Sequence, residues 1–93
     1  FNLAAEAKPY LAEPYYYRAL AKLMLDDYRG AEADASMALD RNKFMTEAYR
    51  VRGFARLQLN RDSLALLDFE QGLEYQPIDK YFLYYKVSSA EAI

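Results

Sequence analysis

Apolar and small residues recur along this chain at helical spacing. From Tyr28 to Asp40, Ala31, Ala35, Ala38 and Leu39 fall at i, i+4, i+7 and i+8, the stripe that one buried helix face produces. From Glu13 to Leu25 nearly every residue tolerates a helix, glycine is absent, and Pro14 stands in the first turn, where its missing N–H costs nothing. The same reading places helices from Thr46 to Leu59 and from Asp62 to Tyr75, and a last one from about Asp79 to Ala92. Asp26-Asp27 and Asn60 break the pattern, Thr46 suits an N-cap, and Pro77 stops the chain after the fourth helix. Linkers of two to five residues require successive helices to pack as antiparallel neighbours.

The pattern is also periodic on a larger scale. A shift of 34 places brings Tyr15 onto Tyr49, Arg18 onto Arg52, Ala19 onto Gly53, Ala21 onto Ala55 and Leu23 onto Leu57. In the second helix of each pair it brings Ala31 onto Ala65, Asp34 onto Asp68, Ala38 onto Gly72 and Leu39 onto Leu73. Carried backward, Phe69, Gly72 and Pro77 reach Phe1, Ala4 and Pro9; carried forward, Arg52 reaches Lys86. The chain therefore divides into the end of a truncated unit (1–9), two complete units (12–45 and 46–79) and the first helix of a further one (80–93). With Phe1 in place of a methionine, it reads as a piece of a longer array.

A helix-turn-helix period of this length, with an aromatic, a small residue four later and Ala in the first helix, then Ala-x-x-x-Phe-x-x-small and a following Pro, resembles the tetratricopeptide repeat. The resemblance covers essentially the whole chain and rests on the joint match, since no single residue is specific. It implies an all-α fold, an α-solenoid of antiparallel repeats forming a segment of right-handed superhelix. Departures exist: Tyr15 and Tyr49 replace the usual Trp, Lys22 and Arg56 stand where an aromatic is typical, Ala35 replaces a large aromatic and Lys43 replaces Pro. They suggest looser packing in the first complete unit.

In an antiparallel hairpin, residues equidistant from the turn lie level. A turn near residue 26 sets Arg18 beside Asp34 and Ala19 near Ala33, and one near Asn60 sets Arg52 beside Asp68. Both Arg–Asp pairs are expected to be ion pairs that hold the two helices of a unit in register. The face of each first helix turned away from its own second helix carries Glu13, Tyr16, Leu20, Leu23 and Met24 in one unit and Glu47, Arg50, Phe54, Leu57 and Gln58 in the next. In the last half-unit it carries Tyr81, Tyr84, Ser88 and Glu91. Stacked units line these stripes up along a concave surface, giving an aromatic and aliphatic groove suited to a protein or peptide partner, with Arg50 available to a carboxylate or backbone carbonyl. Some members of the family clamp chaperone-tail carboxylates on this stripe with Lys, Asn and Arg. Here the matching places hold Tyr16 and Leu20, Arg50 and Phe54, and Tyr84 and Ser88, which disfavours that role and favours an apolar segment.

Composition narrows the classes further. Twelve Lys and Arg against 14 Asp and Glu, spread along 93 residues, offer no basic face for nucleic acid. Histidine and cysteine are both absent, so no thiolate or imidazole metal site, disulfide or His-based acid–base pair can form, and no glycine-rich phosphate loop is present. No metal, cofactor or catalysis is expected. No apolar run approaches the roughly 20 residues of a membrane span, and nothing in the sequence assigns a compartment. The alternative to peptide binding is a structural scaffold or self-associating spacer, with exposed repeat ends, including Tyr81, Phe82 and Tyr85, meeting a second copy.

Overall fold

The computed structural model describes residues 11–75, which form four α-helices and no strand. They are α1 (Glu13–Met24), α2 (Tyr28–Arg41), α3 (Thr46–Gln58) and α4 (Asp62–Tyr75). The opening half-unit and the helix expected beyond Pro77 lie outside the described residues.

The two hairpin turns are built alike. At the end of α1 the Asp27 N–H bonds Lys22 O at 2.8 Å and the Asp26 N–H bonds Leu23 O at 3.0 Å; at the end of α3 the Arg61 N–H bonds Arg56 O at 2.7 Å and the Asn60 N–H bonds Leu57 O at 3.1 Å. Both closures need one residue in the left-handed region, and Asp26 (φ 61°) and Asn60 (φ 60°) supply it. Asn and Asp are the side-chain types that best tolerate this backbone after glycine. The turn drops Leu25 and Leu59 out of the helices that the sequence pattern had extended through them, while α2 runs one residue further, to Arg41. Asp27 then caps α2, its carboxylate accepting the Gly30 N–H at 3.0 Å.

Between units the expected cap is displaced. Met45 holds the N-cap position of α3, and Thr46 is already helical, its hydroxyl donating to Glu47 at 3.0 Å. The Met45 side chain is drawn into the core, which fixes the chain direction one residue before Thr46. The Tyr49 hydroxyl donates to Lys43 O at 2.8 Å and pins the same loop.

The helices of each unit pack as a hairpin, α2 packs on α3 across the unit boundary, and α1 touches α3 along the inner side. One core cluster joins Tyr15, Ala38, Leu39, Met45, Ala48, Tyr49, Ala65 and Phe69; a second joins Ala19, Ala35 and Val51. The two units solve the same packing problem differently. A Cβ on Gly53 would clash with the ring of Phe69, which is fully buried. Thirty-four residues earlier the corresponding pair is Ala19 and Ala35. Both are completely buried because Val51 of the following unit closes over them, with Tyr16, Leu20 and Leu23 packed around. Where the sequence suggested looser packing in the first unit, the next unit supplies the missing volume.

Gly53→Ala is expected to destabilise the chain by about 1–3 kcal/mol through overpacking. In a Phe69→Ala background the same change becomes neutral or stabilising, by up to about 1 kcal/mol, because only the helix-propensity gain remains. Urea denaturation of the four variants reads the sign change.

Candidate functional site

Two constellations stand out: a polar network on the packed side of α3, and a concavity on its inner side. In the first unit Arg18 approaches Asp34 with both Nε and Nη2 at 2.9 Å, the parallel fork that a guanidinium makes with a carboxylate, and Lys22 Nζ adds a third contact at 2.9 Å. In the second unit Arg52 bonds Asp68 through Nη2 at 2.7 Å and through Nε at 3.1 Å, and Arg56 Nη1 reaches the other oxygen at 2.8 Å. Arg18 and Arg52 also lie over the rings of Tyr15 and Tyr49, at 5.5 and 5.7 Å from the centroids.

From there the second network crosses the unit boundary. Arg52 Nη1 donates to Ser36 Oγ at 3.2 Å, and Arg56 Nε donates to Glu32 Oε2 at 2.8 Å, both acceptors on α2; Arg61 closes on the other Glu32 oxygen. Burial pushes the Glu32 carboxyl up, but hydrogen bonds from Arg56 and Arg61, aided by their charges, outweigh it and hold the group below the usual glutamate value. Sequence reasoning found the two Arg–Asp pairs and missed Lys22, Glu32, Ser36, Arg56 and Arg61. Lys22 and Arg56 were legible in principle. Each lies four residues after its partner Arg, hence on the same helix face, and the two are 34 apart.

The second constellation lies between α1 and α3, a concavity of about 240 Å³ lined by Tyr16, Leu20, Leu23, Glu47, Arg50, Val51 and Phe54. Six of the expected groove residues, Tyr16, Leu20, Leu23, Glu47, Arg50 and Phe54, therefore share one site. Glu13, Met24 and Gln58 are exposed and stand outside the lining. Leu57 packs against the core cluster instead of the groove. Tyr81, Tyr84, Ser88 and Glu91, and the Tyr81, Phe82, Tyr85 end, fall outside the described residues. Val51, absent from the sequence-based stripe, lies four residues after Glu47 and three before Phe54, a spacing that places it on this face. The Tyr16 phenol is raised above the usual tyrosine value, first by burial and next by the Glu47 carboxylate, with Arg50 opposing to a smaller extent. The arrangement can receive an apolar side chain beside the charged groups of Glu47 and Arg50. Among the described residues, no cluster of acidic or other ligating side chains could hold a metal ion, and no helix is long and apolar enough to cross a membrane.

No family model matches the chain. The sequence is 34% identical over 82 residues to the Protein SGT1 homolog of Oryza sativa subsp. japonica, a match that takes in 88% of this chain and 22% of that protein, so the chain spans about a fifth of that relative's length. Among solved structures, the first TPR of Spaghetti (RPAP3), bound to the HSP90 peptide SRMEEVD, superposes with a TM-score of 0.96 at 30% identity, covering 98% of this chain and 72% of that one. The second TPR domain of the human RPAP3 protein, in complex with the HSP70 peptide SGPTIEEVD, gives a TM-score of 0.92 at 27% identity over 96% of this chain and 74% of that one.

Removing the Asp68 charge strands two arginines, so Asp68→Asn is expected to cost on the order of 3 kcal/mol. Asp34→Asn costs less, because Arg18 and Lys22 are more open to water than Arg52 and Arg56. A double-mutant cycle on Arg52 and Asp68 that returns no coupling energy overturns this account. For Glu32, a folded-state value below the ordinary one means that its contribution to stability is complete above the unfolded carboxyl's pKa. That contribution disappears as pH falls through the folded value. Chemical denaturation across the acid range should thus show a steeper loss of stability in the parent chain than in Glu32→Gln.

Proposed function

The chain belongs to the tetratricopeptide repeat family, and from that membership we propose that it is a protein-interaction module that binds a peptide segment of its partner on the inner face of α1 and α3. The observation that carries the reading is the concavity between them, with Tyr16, Leu20, Leu23, Val51 and Phe54 as apolar lining and Glu47 and Arg50 as the charged groups. Two structural relatives bind peptides through domains of this fold, which supports a peptide as the ligand class. Tyr16 and Phe54 offer large contact area while giving up few rotamers. Arg50 can donate to a backbone carbonyl of the ligand, fixing its direction as the apolar side chain enters.

The two first helices contribute to one site because they run parallel and their stripes repeat at the 34-residue interval. Successive units therefore extend the site sideways, and a peptide lying across the helices meets Leu20 and Tyr16 from one unit and Phe54 and Arg50 from the next.

Selection of a displayed random-peptide library on the chain is expected to return sequences with one shared apolar anchor. Phe54→Ala should weaken the selected peptide by about tenfold or more without loss of helical circular dichroism. A selected peptide whose affinity is unchanged by Phe54→Ala and by Leu20→Ala would place binding elsewhere and sink the proposal.

A further inference from the structure

We infer that the α1–α3 concavity selects an apolar segment flanked by a cationic side chain and turns away acidic tails, a preference that rests on the groove reading above and sharpens its ligand class. The charges around the site are unevenly placed. Glu47 is in the first turn of α3 and lines the concavity; Glu13 occupies the equivalent place in the first turn of α1, and both are exposed. Arg50 stands about one turn further along α3, and beyond it the lining is Leu20, Leu23, Val51 and Phe54. The site thus has an acidic mouth, one cation inside it and an apolar far end.

Three observations decide which sign prevails. The remaining cations of α1 and α3, namely Arg18, Lys22, Arg52 and Arg56, are held by Asp34, Asp68 and Glu32 on the packed side and do not line the concavity. At the Tyr16 phenol, burial and then the Glu47 carboxylate raise the group above the usual tyrosine value, with Arg50 opposing them, so the acidic group at the mouth is felt inside the site. Helix N-termini ordinarily attract anions, but Glu13 and Glu47 already complement the positive ends of α1 and α3. A Lys or Arg beside an apolar anchor would find the Glu47 carboxylate in the lining, with Glu13 exposed in the first turn of α1. The peptides SRMEEVD and SGPTIEEVD, bound by the structural relatives, each carry three carboxylate side chains within their last four residues. Such a tail would set like charges against Glu13 and Glu47 or carry them into the apolar end, both unfavourable.

Fluorescence anisotropy on the full chain with three capped, labelled peptides tests this. The peptides share a Leu-Phe-Leu centre and carry lysine, glutamine or glutamate on both flanks. The expected order is lysine over glutamine over glutamate, with about a tenfold span at low ionic strength that narrows as salt rises above about 0.1 M. A Glu13→Gln, Glu47→Gln chain should lose the order. Equal binding of all three peptides, or tightest binding of the glutamate peptide, with Phe54→Ala still weakening each, overturns the charge preference and leaves the groove standing. If none binds, or if Phe54→Ala changes nothing, the groove reading falls and this inference with it.

Discussion

Two buried carboxylates, Asp34 and Asp68, constrain almost everything else in the described fold. A carboxylate taken out of water must be met by cations and donors, and each of these is met by two side chains from the neighbouring first helix, four residues apart on one face. That requirement sets the height at which the two helices of a unit lie against each other. The small residues beside the ion pairs follow from it. Beside those pairs Ala19 is completely buried, and Gly53 has no Cβ because the Phe69 ring occupies that space. Charge satisfaction and close packing are therefore one constraint seen on adjacent turns of a helix.

Much of this could be read in the sequence because it is local and periodic. The limits of the four described helices fell within a residue of their expected places, since helical stripes and the Asp26-Asp27 and Asn60 breaks are encoded over a few residues. The pairing of Arg18 with Asp34 and of Arg52 with Asp68 followed from counting outward from a turn. What escaped depends on contacts between units. Glu32 meets Arg56 across 24 residues, and Val51 fills space over Ala19 and Ala35 in the preceding unit; counting within one hairpin reveals neither. The Thr46 cap failed for a related reason. A hydroxyl suited to capping was outweighed by burial of Met45 one position earlier, a tertiary effect overriding a local preference.

The departures from the family pattern gain a meaning in the fold. Lys22 and Arg56 replace aromatics and supply the second cation to each buried aspartate, so a packing position has become an electrostatic one. Ala35 in place of an aromatic is matched by Val51 of the next unit. The candidate groove is assembled from the complementary set of positions. Tyr16, Leu20, Arg50 and Phe54 line the concavity and take no part in the Arg–Asp pairs. Val51 serves both sides, closing the core with one flank and lining the concavity with the other, and Tyr16, Leu20 and Leu23 pack against that core while lining the same concavity.

The arc from Glu32 through Arg56 to Asp68 joins α2, α3 and α4, and its middle helix belongs to the second unit while one end belongs to the first. The block of structure that this network ties together is consequently not the repeat defined by the sequence period. To detach α2 from α3 exposes an arginine already committed to α4, and to detach α4 frees a guanidinium held by α2. The coupling between units is therefore staggered by one helix relative to the repetition, since the network that joins α2, α3 and α4 spans the boundary between the two units.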